Sequence, residues 1–183
     1  QDSDHSNFAQ EMGNNPKIDY GREGFVAPYV FKFSGIYELP FGKNRQFLNQ
    51  GKWWENQIGG WRVSGFLTIL GGPPFSVGAS DNSNTGGGIG MRAEETCNGN
   101  NGPHTFAEYI NTSCFKNPAE NTFGNLQRNS LNGPRNTNID MSVFKEFPLY
   151  SRLTFQFRVD AFSALNHPLP QLPDNNVNDG NFG

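Results

Sequence analysis

The sequence predicts an all-β fold, an antiparallel meander of long amphipathic strands. Three observations support this: strict two-residue alternation recurs in separate segments, clusters of turn formers separate them, and their connections are alternately short and very long. The clearest alternation lies in YSRLTFQFRVDAFSALNHP, Tyr150 to Pro168. Leu153, Phe155, Phe157, Val159 and Ala161 share one parity, and Thr154, Gln156, Arg158 and Asp160 share the other. Successive strand side chains point to opposite faces, so this ribbon has one apolar face and one charged face.

The chain reads as a single segment, 1–183, with strands at 25–39, 61–77, 137–147 and 153–165. In the first, Tyr29, Phe31, Phe33 and Tyr37 oppose Lys32, Ser34 and Glu38, until Pro40 and Gly42 stop it. In the second, Trp61, Val63, Leu67 and Ile69 oppose Arg62, Ser64 and Thr68. Gly71-Gly72-Pro73-Pro74 predicts a bulge or bend in that ladder. In the third, Ile139, Met141 and Val143 oppose Asp140, Ser142 and Phe144, and a tight turn at Pro148 to Arg152 leads into the fourth. Between the second and third strands lies a long loop, 78–135, with turn-forming runs such as DNSNTGGGIG and CNGNNGP and no periodicity. Connections beyond about 15 residues are usually functional or disordered. One short helical turn is expected around Phe106, Tyr109 and Ile110, and both termini read as Asn-rich loops.

Antiparallel order puts the short connections at one end of the sheet and the long loop and termini at the other. That asymmetry is the mark of a transmembrane-type β-barrel with a very long external loop. Phe41, Trp53, Trp54, Trp61, Phe147 and Tyr150 crowd the short-connection end, where an interfacial aromatic girdle would sit. Capping of a water-soluble sandwich is the plainer alternative for any one of them.

Composition narrows the function. A net charge of -3, from 14 Lys+Arg and 17 Asp+Glu, leaves no electrostatic footprint for nucleic acid. No apolar run approaches the roughly 18 residues of a spanning helix. The polar opening QDSDHSNFAQ is not a signal peptide, which suggests a fragment or a processed product. Cys97 and Cys114 stand 17 residues apart in the long loop, a spacing that suits a local disulfide worth about 3 kcal/mol and points to an oxidising compartment. Neither cysteine lies in a zinc-like pattern, and no cofactor site is expected.

His5, His104 and His167 are scattered, with no nucleophile and acid at useful spacing, so no catalytic constellation and no enzyme are expected. Asp140, Asp160 and Arg158 could be lumen charges or simply solvated strand residues. Asp81, Glu94 and Glu95 lack EF-hand spacing, so no metal is expected there. Phe106 and Tyr109 are candidate ligand-contact aromatics, the feature that would equally suit a soluble carbohydrate-binding sandwich.

Four segments, YELPFGKNRQF, GGWRVSGFLTILGGPPFSV, FGNLQRNSLNGPRNTNIDMSVFKEFPL and RLTFQFRVDAFSALNHP, resemble in order the C-terminal barrel of TonB-dependent outer-membrane receptors. The resemblance runs from Gly21 to Pro168 and is greatest to the acidobacterial-type subgroup that carries a carboxypeptidase-regulatory-like domain. It implies a bacterial outer-membrane transporter of about 22 strands around a plug, driven through a TonB box, for an unknown nutrient ligand. The sequence shows no plug, no TonB box and no final strand ending in an aromatic residue. Four strands leave two open edges, which predicts pairing with the rest of the barrel or with identical subunits. The second expectation is therefore an extracellular, self-assembling fibre or surface subunit built by β-strand addition.

Overall fold

A computed structural model describes residues 15–48, 58–84, 91–150, 152–168 and 170–183. Among these, ten strands follow in order: β1 (Val30–Glu38), β2 (Trp61–Leu70), β3 (Pro74–Phe75), β4 (Gly78–Ala79), β5 (Met91–Arg92), β6 (Glu94–Glu95), β7 (Phe115–Lys116), β8 (Leu131–Asn132), β9 (Asn136–Tyr150) and β10 (Leu153–Ala161). The single segment expected from the sequence divides into two compact units. A sheet unit takes the described parts of Val30–Leu70 and Thr137–Pro168, and a loop unit those of Gln1–Tyr29, Gly71–Asn136 and Leu169–Gly183.

The sheet unit is one four-stranded sheet in the order β1-β2-β9-β10. Its β1–β2 ladder runs antiparallel without interruption from Val30 opposite Leu70 to Glu38 opposite Arg62. The β9–β10 ladder pairs Phe155 with Phe147, Val159 with Val143 and Ala161 with Met141. Phe31, Phe33 and Tyr37 therefore lie opposite Ile69, Leu67 and Val63, apolar against apolar as the alternation predicts.

The strand limits differ from those expected. The first strand begins at Val30 rather than 25, the second stops at Leu70 rather than 77, and the fourth ends at Ala161 rather than 165. The third runs past 147 and through Pro148 to Tyr150, so the turn is shorter than Pro148 to Arg152. Proline cannot donate to a ladder, and the register shifts between Leu153 and Thr154, whose partners are Tyr150 and Pro148. The irregularity accommodates Pro148 inside a long strand. The Gly71–Pro74 break, expected as a bend, ends the second ladder altogether. A Cβ on Gly72 would lie 1.8 Å from the Gly133 carbonyl oxygen, so only glycine permits that backbone approach. β3 then pairs with β8 in the loop unit.

The long loop has a structure of its own. Three two-residue ladders, β3–β8, β4–β5 and β6–β7, enclose a core of Val77, Ala93, Ile110, Cys114, Leu126 and Leu131, with Phe75 and Phe115 at its margin. Two arginines brace the stretches between these ladders through backbone carbonyls. The Arg22 guanidinium donates to the carbonyls of Asn129, Ser130 and Leu131, and Arg92 donates to those of Leu126 and Ile18 and to the Asp19 carboxylate at 2.6 Å. The helical turn expected near Phe106 to Ile110 is instead a 3-10 turn at Thr112–Cys114. The C-terminal tail is not an open loop: the Gly78 N–H donates to the Asn175 carbonyl at 2.7 Å, the Val177 N–H donates back to the Gly78 carbonyl, and the Phe182 ring meets Phe115 edge-on.

Candidate functional site

The functional features of the sheet unit follow from its register. On one face lie Phe31, Phe33, Tyr37, Val63, Leu67, Met141, Val143, Phe155, Phe157 and Val159, and most of these are exposed. At the short-connection end the aromatics contact one another. Phe41 meets Phe47, Phe147 meets Phe155, and Trp61 meets Phe157 edge-on, each with ring centroids 6.1 Å apart. Tyr150 is exposed. Trp53 and Trp54, the remaining expected members of this set, lie outside the described residues, as does His5.

Alternation alone missed Lys145, which has apolar parity and stands opposite Phe157. Only 3% of it is exposed, and its ammonium lies 4.7 Å from the Phe147 ring centroid and 5.9 Å from that of Trp61. An aliphatic stem covered by rings with the cation against their faces is how lysine tolerates an apolar surface. The signal in the sequence was the spacing F-K-E-F, Phe144 to Phe147, which sets a lysine between aromatics of both parities.

The opposite face carries a transverse ladder of charge. Arg62 lies between Glu38 at 3.5 Å and Glu146 at 3.4 Å, and Gln156 stands opposite Glu146, so one polar row crosses all four strands. Arg62 also covers the Phe144 ring, 5.6 Å from its centroid, which accounts for an aromatic among charges. Further along, Arg158 donates to the Asp160 carboxylate at 2.7 Å and to the Ser142 hydroxyl, while Asp140 accepts from the Ser163 N–H. Arg158 and Asp160 thus share one polar cluster with Ser142, and Asp140 belongs to a second one with Asn138 and Ser163.

In the loop unit Cys97 and Cys114 form the expected disulfide. The suggested cation ligands are used separately. Glu94 pairs with Lys116, Glu95 accepts from the Gly99 N–H, and Asp81 accepts from the Ser83 hydroxyl and N–H, which lower its pKa. No cluster of three metal-ligating side chains occurs among the described residues. Phe106 and Tyr109 are not stacked together. Phe106 stands wholly in solvent, whereas Tyr109 is half-buried, with its ring against His104 at 4.8 Å. Both nonetheless line one hollow of about 710 Å³. Burial, and then the neighbouring Tyr29, push the Tyr109 phenol above its ordinary pKa, so it stays protonated as a donor.

No helix among the described residues is long and apolar enough to cross a membrane. A water-exposed apolar sheet face, a charged opposite face and aromatic clustering at one end define a wall segment of an outer-membrane-type β-barrel. The chain matches the outer membrane beta barrel domain family over residues 1–183 and belongs to it. It is accordingly an outer-membrane barrel protein, and its location is the bacterial outer membrane. Searches of curated proteins and of solved structures returned no match.

Proposed function

We propose that the chain is part of the barrel of a TonB-dependent receptor that takes up a bulky nutrient, with the 78–135 connection on the cell exterior. The observation that carries this reading is the register, which gives the sheet one continuous apolar face for lipid and one charged face for a lumen. The ordered resemblance of four segments to such receptors supplies the class. Phe41, Trp61, Phe147, Tyr150 and Lys145 serve as the interfacial girdle at the periplasmic end. The row Glu38–Arg62–Glu146–Gln156 faces the lumen. Further strands of the barrel pair with the outer edges of β1 and β10. Such a protein works by binding and translocation rather than by making or breaking bonds.

Uptake in intact cells tests the reading. Cells carrying the full-length protein accumulate a labelled nutrient from a panel of oligosaccharides, cobalamin and ferric chelates, and lose that accumulation when the energy-coupling complex is inactivated. Accumulation indifferent to energisation would contradict a TonB-dependent receptor.

A second reading, a fibre subunit joined by strand addition, is supported by one feature: every residue of the two outer strands, β1 and β10, is exposed. The tail at 174–183, a conceivable donor arm, is already bonded within its own unit, which weighs against it. Regular fibres of the native protein in detergent-free medium would favour this reading over the receptor.

A further inference from the structure

We infer that the apolar face of the sheet unit seats one lipid acyl chain in a hollow that two facing glycines open across β1, β2 and β9. The inference rests on the reading of that face as barrel wall and is independent of TonB-dependent uptake.

Gly35 stands opposite Gly65 in the middle of the β1–β2 ladder, and both have the parity of the apolar face. The pair Phe33 and Leu67 lies on one side of them and the pair Tyr37 and Val63 on the other. With Met141 of β9, these side chains wall a hollow of about 360 Å³ whose floor is the two glycines. That volume is enough to hold a small ligand or a length of alkyl chain.

Glycine inside a strand costs stability, so a facing pair calls for a reason. The usual reasons within a fold do not apply. The ladder runs past these residues without a bulge. Neither glycine has the positive φ that disfavours other residues. No backbone presses on them: a Cβ on Gly65 would meet nothing within 4 Å, and one on Gly35 only the Phe33 ring at an ordinary 3.9 Å. Gly72, where a Cβ would run into the Gly133 carbonyl, is the contrast. The remaining reason for glycine in a strand is the close approach of something outside the chain.

The position and chemistry of the hollow define what approaches. It is continuous with the face that an outer-membrane barrel turns to lipid, and it lies at mid-strand, away from the aromatic end. At that depth the bilayer offers hydrocarbon. No charged side chain lines the hollow, so an ionic group would find no partner there. The glycine floor belongs to a paired ladder, which an alkyl chain can cover without stranding a polar group. A flexible chain also gains dispersion contacts with a floor that has no side chains of its own.

Photolabelling of the full-length protein in vesicles tests this, with a phosphatidylcholine that carries a diazirine midway along one chain as probe. Peptide mass spectrometry compares Met141, at the hollow, with Val159, elsewhere on the same face; both are exposed. In Gly65→Leu or Gly35→Leu, whose side chains fill the hollow, labelling at Met141 should fall several-fold while labelling at Val159 stays as it was. Gly65→Ala should unfold in denaturant no earlier than the natural protein, because its Cβ has open space. A heat-modifiable gel shift verifies that the variants are folded. Labelling at Met141 indifferent to the leucines, or a barrel weakened by Gly65→Ala, would overturn the inference. So would a dimer that shields Met141 until a leucine separates the copies, since the hollow would then belong to a second copy. Labelling at neither position would contradict lipid on this face altogether, a failure of the wall reading rather than of the hollow alone.

Discussion

In the sheet unit Phe31, Phe33, Phe155 and Phe157 are about half exposed, whereas in the loop unit Val77, Ile110, Leu126 and Leu131 are wholly buried. The sheet unit is the richer in aromatics and the more regular, yet it buries less of them. Its apolar side chains are arranged for a solvent other than water, and lipid supplies their missing contacts. The loop unit has only two-residue ladders and must hold together in water, so it uses a small closed core, a disulfide and arginine clamps on backbone carbonyls. The same chain thus follows two burial rules, and substitutions should separate them.

Leu126→Ala should have the largest effect, about 2–5 kcal/mol against the loop unit, because a fully buried leucine leaves a cavity among packed neighbours. Limited proteolysis in vesicles should then cut within 91–135 while the barrel keeps its heat-modifiable gel shift. Phe33→Arg, in the middle of β1 on the apolar face, should cost the barrel about 2–4 kcal/mol in denaturant unfolding from vesicles. Ser34→Arg on the opposite face should cost far less. Equal effects of the two would erase the distinction between the faces.

Replacing both Cys97 and Cys114 by serine should remove about 3 kcal/mol, again from the loop unit alone, read as faster proteolysis there. Smallest is Asp160→Ala. Its pair with Arg158 is exposed and screened by water, so only a marginal change in barrel unfolding is expected, vanishing as salt is raised.

Legibility in the sequence follows the same division. The sheet was readable because alternation is local: Trp61 and Leu153 begin strands where the pattern begins. The earlier end of the second strand was not, since Val77 continues the parity of Ile69 but belongs to another core. The loop unit was hidden because Val77, Ala93, Ile110 and Leu126 are scattered at irregular spacing among turn formers. Contacts far apart in sequence bring them together, such as Arg92 to Asp19 and Asn129 to Arg22. Cys97 and Cys114 were the one readable sign that this stretch is ordered. Lys145 escaped notice because its tolerance depends on Trp61, a neighbour from another strand.

The most direct test places spin labels at single cysteines substituted in turn for residues 155 to 159 of the full-length protein in lipid vesicles. Accessibility to oxygen, which partitions into lipid, should peak at 155, 157 and 159, and accessibility to a water-soluble nickel chelate should peak at 156 and 158. Profiles without that opposed two-residue alternation, or with oxygen favouring 156 and 158, would contradict an apolar face turned to lipid.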